Sequence, residues 1–218
     1  MVSAEMQLTV NTTGRIIGFN ISEEVYMRDY AADFCEWIDG TVIKMFSSHE
    51  RHDAITRYLM TFFSAYFELR PIGEIRHEPF VMRYEFEQDG ISRTRYREPD
   101  IQLILNDNRA NLKPTYMDGA ADIVIEVVSS ESITRDYSEK FHEYEQAGVA
   151  EYWIIDPLKE ECRFYRLNAK KAYVLQEVED DYTTLQLPDL VLHIPTLWQE
   201  NLPGTISIAK MVQAMLEQ

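Results

Sequence analysis

The sequence predicts an α/β (α+β) fold, a mixed β-sheet core with helices packed on its faces. Three observations predict it. Two runs, Asp122 to Val128 (DIVIEVV) and Glu151 to Asp156 (EYWIID), are rich in β-branched and aromatic residues, like strands covered on both faces. The stretch between them, Thr134 to Ala147, reads as a helix, so a strand–helix–strand crossover should set the two runs nearly parallel. A longer helical period (Ile55, Leu59, Phe62, Phe63 and Tyr66) fills Ser48 to Leu69 and supplies a covering layer.

The elements follow in order. Gly14 and Gly18 mark the first 20 residues as a hairpin or a docked arm. Ile21 to Phe34 reads as an amphipathic helix, with Ser22 as N-cap ahead of Glu23 and Glu24. Cys35–Ile38 and Thr41–Met45 flank Asp39-Gly40, a tight-hairpin signal. The helix ending at Leu69 is followed by Pro71. Glu74 to Glu87 is a strand pair or one long bent strand, with turn chemistry at Asp89-Gly90, and Ile101 to Leu105 suits a buried strand. Asn106 to Gly119 reads as a polar loop long enough to suggest a function. In the crossover helix Thr134 is the expected cap, Asp136 complements the dipole and Gly148 is the stop. Beyond Pro157, Cys162–Leu167, Ala172 to Glu177 and Tyr182 to Leu187 read as meander strands, and a helix from Ile206 to Leu216 closes the chain.

The 218 residues fit one domain, with a core over about 22–167 and a C-terminal meander and helix over 168–218. A hydrophobic share of 45% can fill a core, and a charged share of 27% excludes a disordered chain. Cys35 and Cys162 belong to no paired or metal-ligand spacing and are expected as buried reduced thiols. No apolar run approaches the ~20 residues of a membrane helix, and the start lacks a secretory signal, so no membrane contact and a cytoplasmic location are expected. The net charge of −16 argues against a broad DNA footprint, because phosphate neutralisation supplies most non-specific affinity. The stretch Arg93 to Arg97 runs against that balance and reads as a phosphate contact or a solvated strand face.

Three polar residues interrupt apolar surroundings: Asp100 before IQLIL, Glu126 inside DIVIEVV, and Lys140 on the crossover helix. A carboxylate inside a central strand is costly to bury unless paired or bound to a cation. Alternation points Glu126 the same way as Val124 and Val128. The functional reading is a metal site, and the structural one is a buried ion pair with Arg135 or a lysine. Asp136 and Lys140 are four apart and share a helix face, which alone would make only a surface ion pair. Tyr137, Phe141 and Tyr144 read as packing against the sheet, His49 and His52 as caps or surface residues, and His77 and Glu78 carry no spacing that demands a role.

Pro99-Asp100, a strand glutamate 26 residues on and a lysine on the next helix together resemble the PD-(D/E)XK nuclease superfamily. More narrowly the chain resembles the Uma2 family of restriction-endonuclease-like proteins. The residues that carry this are Glu36 to Gly40 (EWIDG), His52 with Ile55 and Leu59, and Glu98 to Ile101 (EPDI). They continue with Ala121 to Ser129 (ADIVIEVVS), Asp136 with Lys140, Tyr144, Gly148-Val149 and Glu151 to Pro157. The resemblance implies a restriction-endonuclease-like fold and a Mg²⁺-dependent endonuclease (Mn²⁺ as the substitute) acting on DNA. By it, Asp100 and Glu126 are metal ligands with the backbone carbonyl of Val127, Lys140 is catalytic, and Glu36 completes the site. Val128 stands where the superfamily motif has its lysine, and this nominates Lys140 on the helix instead. A homodimer is expected because duplex cleavage takes two cuts, with 162–187 as its surface. Two alternatives stay open, a nuclease-fold interaction module without turnover and a metal-dependent hydrolase of a small phosphorylated ligand.

Overall fold

The computed structural model describes residues 14–45, 50–88 and 90–217. Strand β1 (Gly14–Gly18) leads to helix α1 (Glu23–Asp29), then to a hairpin of β2 (Cys35–Ile38) and β3 (Thr41–Met45). Asp39 and Gly40 both have positive φ, as the predicted tight turn requires. Helix α2 (Glu50–Leu69) precedes β4 (Gly73–His77), β5 (Val81–Gln88), β6 (Ile91–Arg97) and β7 (Ile101–Leu105). Then come β8 (Tyr116–Asp118), β9 (Ile123–Val127), α3 (Lys140–Ala147), β10 (Glu151–Asp156), β11 (Glu161–Leu167) and β12 (Tyr173–Leu175). The chain closes through β13 (Asp181–Thr183), β14 (Val191–His193), α4 (Ile194–Leu197) and α5 (Thr205–Leu216).

The strands form two six-stranded mixed sheets, ordered β1-β3-β2-β6-β5-β8 and β12-β11-β10-β9-β7-β4, and a two-stranded β13–β14 ribbon. As the crossover predicts, β9 and β10 are parallel, with Ile125 opposite Trp153. The second sheet is covered on both faces. Ile123, Ile125 and Val127 pack with Ile55, Leu59 and Phe63 of α2, while Val124 and Val128 pack with Tyr144 of α3 and with Met82 and Tyr84 of β5. Odd positions of β9 thus face α2 and even positions face α3, where Glu126 reaches Tyr144.

Several boundaries differ from expectation for local reasons. The 74–87 run divides between the two sheets at Glu78-Pro79, a cis peptide, and Pro79 has no N–H to give a ladder. Helix α1 keeps its Ser22 cap, whose side chain accepts from Val25 N at 3.3 Å, but ends at Asp29 because the next residues reverse into the hairpin. The stretch 106–119 is not a bare loop. Its asparagines fold a 3₁₀ turn over Asn106–Asn111, with Asn108 Nδ2 donating to Ala120 O, and β8 then pairs with β5. Among the described residues the Thr134 side chain makes no capping bond, since a π turn (Arg135–Glu139) precedes α3, though Gly148 ends the helix at φ 90° as expected. Of the meander, β11 and β12 extend the second sheet, whereas β13 pairs with β14, a strand the sequence did not suggest. Cys35 is buried, Cys162 half-buried, and both are free.

Candidate active site

Adjacent antiparallel strands β7 and β9 bring Asp100, at the head of β7, beside the end of β9. The Val127 N–H donates to Asp100 Oδ2 at 2.6 Å, and His52 Nε2 of α2 lies 3.1 Å from the same oxygen. Glu126 Oε1 takes the opposite flank, 2.7 Å from Lys140 Nζ, and accepts from the Tyr144 hydroxyl at 2.9 Å. Lys140 and Tyr144 are four apart on α3, so a single helix face holds the carboxylate from two points. The π turn before Lys140 carries Asp136, whose Oδ1 is 3.6 Å from Nζ, and Glu36 of β2 adds a third carboxylate at 3.8 Å. Lys140 and Glu36 are each 1% exposed, Glu126 2% and Asp100 8%.

Such burial makes electrostatics decisive. Burial would raise the Glu36 carboxyl, but Arg97, then Lys140 and Arg135, hold it down at about 2. Burial pushes Glu126 up to about 8, with Asp100 and Asp136 reinforcing it and Lys140 opposing. Asp100 stays low despite burial because His52, Lys140 and the Val127 amide favour its ionised form. His52 in turn is raised to about 9, Asp100 outweighing the cost of its burial. Two further carboxyls line the same pocket. Burial and then Asp100 raise Glu78 to about 7; burial, Glu36 and Glu78 raise Glu98 to about 9. The Cys35 amide sits near enough to pull Glu98 slightly down, yet neither Glu98 oxygen has a hydrogen bond of normal geometry among the described residues.

The structure therefore brings Asp100, Glu126, Val127, Lys140 and Glu36 into one pocket of about 520 Å³. It also corrects several expectations. Lys140 is no surface ion-pair partner, and Glu126 has in it the buried lysine partner that the ion-pair reading expected. The Arg93 to Arg97 stretch supplies neither a phosphate contact nor a solvated face at its inner end. Arg97 is 1% exposed, donating to Glu36 at 2.7 Å and to Glu143 at 2.9 Å, while buried Arg95 bonds Asp39 and Glu143. Buried pairing is what makes an inward arginine tolerable on a strand. His52 is a buried partner of Asp100 and not a surface cap, whereas His49 lies outside the described residues. Tyr144 packs on the sheet as expected but also bonds Glu126. Glu78 and Glu98 are pocket residues that the sequence pattern does not single out, though Glu98 adjoins the Pro-Asp pair.

The donor set suits a hard divalent cation. Among the described residues no hydrogen bond falls on Asp100 Oδ1 or Glu126 Oε2, and both residues line the pocket with Val127. No three His, Cys, Asp or Glu side chains among the described residues stand at the spacing of a full coordination shell. A cation here would thus draw on two carboxylates, a backbone carbonyl, water and substrate phosphate, all of them hard oxygen donors.

Two mixed sheets, the crossover helix and this carboxylate–lysine cluster define the restriction-endonuclease-like class of folds. The chain matches the Uma2 family model, described as "Putative restriction endonuclease", over residues 23–196, and it belongs to that family. Among solved structures it is similar to a "putative nuclease" from Anabaena variabilis, with a TM-score of 0.60 and 18% identity over 75% of this chain and 89% of that one. No curated protein matches it. Among the described residues no helix is long and apolar enough to cross a membrane.

Proposed function

We propose that the protein is a Mg²⁺-dependent endonuclease that hydrolyses phosphodiester bonds of DNA, with Mn²⁺ as an alternative ion. The observation that carries this reading is the meeting of Asp100, Glu126 and Lys140 in one pocket, with Lys140 Nζ 2.7 Å from Glu126 and ringed by carboxylates. Asp100 and Glu126, with the Val127 carbonyl, would hold the cation. When bound it supplies charge to polarise the scissile phosphate and lowers the pKa of nearby water. His52 and the Val127 amide fix Asp100 by bonding one oxygen and leaving the other for the pocket. Lys140 keeps its ammonium charged, because Glu126, Asp136 and Glu36 outweigh its burial, and so offers fixed positive charge to a phosphoryl oxygen. Glu36 shares its charge with Arg97 and Lys140, so it orients the ammonium without discharging it.

The test is incubation of circular DNA, single-stranded and supercoiled duplex in separate arms, with Mg²⁺ or Mn²⁺. Cleavage that EDTA abolishes and that falls at least 100-fold in Glu126→Ala is expected, on the scale of losing a principal charge-stabilising group. Unchanged cleavage by Glu126→Ala overturns the site.

A further inference from the structure

We propose that this pocket takes its DNA as a single strand, with Phe34 at the pocket wall as a platform on which a base stacks. The inference rests on the nuclease reading above and names its substrate class. The groups that would act on the phosphate are between 1% and 8% exposed, inside a pocket of about 520 Å³. Pockets of about 300 to 1,000 Å³ hold one compact ligand. An intact duplex is stiff and its pairing keeps each phosphate along a nearly straight rod, so it reaches groups in such a recess less readily than a strand that bends freely. A single strand carries no pairing to break.

Charge points the same way. Among the described residues eight carboxyl side chains line the pocket, against the basic side chains of Lys44, Arg135 and Lys140 and the imidazole of His52, and the whole chain carries −16. A duplex binder draws its affinity from many phosphate contacts. Here the affinity must come from another source, and Phe34 supplies it. Phe34 is 43% exposed and lines the pocket. Its backbone sits at φ 47°, a left-handed conformation that a bulky aromatic residue rarely adopts. Strain of this kind persists where the surroundings enforce it, commonly at ligand clamps. The enforcement is visible. Met45 N donates to Phe34 O at 2.8 Å, and Lys44, which bonds the Asp33 carbonyl and pairs with its carboxylate at 2.7 Å, holds its ammonium 6.0 Å from the ring centre. An apolar plate flanked by a cation is the standard arrangement for stacking unpaired bases without reading their sequence.

The experiment uses oligonucleotides carrying one 2-aminopurine, single-stranded and fully duplexed. Binding is read by fluorescence quenching in Ca²⁺, and cleavage is read in Mg²⁺. Wild-type protein should favour the single strand by at least 10-fold in kcat/KM and quench the probe. Phe34→Asn removes the ring while retaining a side chain that tolerates φ 47°. It should raise Kd and KM roughly 5- to 150-fold, the range of one lost base stack, with kcat kept, and Phe34→Trp should restore both. Equal cleavage of duplex and single strand, or an unchanged KM in Phe34→Asn, overturns the proposal. A mononucleotide bound as tightly as the oligonucleotide overturns it in favour of a small phosphorylated ligand. Phe34-dependent quenching without any cleavage sinks the nuclease reading and sustains this one as a binding site.

Discussion

Glu36 is the residue whose chemistry is most tightly determined by its neighbours. Its folded carboxyl lies at about 2 against an ordinary 4.5, because Arg97, Lys140 and Arg135 overcome the cost of burial. A depressed carboxyl contributes stability that is present above 4.5 and lost as pH falls through about 2. Glu36→Gln should therefore lower stability by about 3 kcal/mol at neutral pH, as breaking a buried pair does, although Arg97 keeps Glu143. Urea denaturation should show that difference closing between pH 5 and pH 2, and a difference independent of pH would show that Glu36 is not ionised in the fold. The site's charged residues were legible in the sequence because each broke an apolar run: Asp100 before IQLIL, Glu126 in DIVIEVV. Their partners were not. Arg97, His52 and Glu98 are ordinary polar residues in sequence, and only the packing of β6 against β2 and α3, and of α2 beside β7, turns them into site contacts.

At the scale of elements, α3 is the part on which the site depends, since it carries Lys140 and Tyr144 and is entered through a π turn that brings Asp136 toward Lys140. Its end is set by Gly148 at φ 90°, where an added Cβ would meet nothing within 4 Å. Gly148→Ala should then cost about 1 kcal/mol from backbone conformation alone, measured by urea midpoint, and leave DNA cleavage as it was. A much larger loss would mean that the helix end is also packed. Elements with a strong local period, such as α2, the Asp39-Gly40 hairpin and the β9–α3–β10 crossover, were legible because their pattern is contained within them. The division of strands into two sheets, the β8 pairing and β14 were not, because each depends on partners far along the chain.

For the whole molecule, the raised carboxyls and the net charge of −16 combine into one behaviour. Glu78, Glu126 and Glu98 sit at about 7, 8 and 9, and His52 at about 9, each above its ordinary value. A raised folded pKa contributes stability that is full below the ordinary value and lost as pH rises through the folded one. The carboxyls therefore favour a decline that begins near pH 4.5 and ends at about 7 for Glu78, 8 for Glu126 and 9 for Glu98, and His52 favours one from 6.5 to about 9, all opposite in sign to the acid limb set by Glu36. A divalent cation competes with protons for these oxygens, so its grip should tighten over the same interval. At a concentration of 100 Kd, Mg²⁺ should add about 2.7 kcal/mol, or roughly 5–10 °C in Tm for a chain of this size. Thermal melts at pH 8.5 with and without Mg²⁺ should show that shift in the wild type, a smaller one at pH 6, and almost none in Glu126→Ala. Equal shifts in wild type and Glu126→Ala would place the cation elsewhere on this acidic surface and remove Glu126 from its ligands.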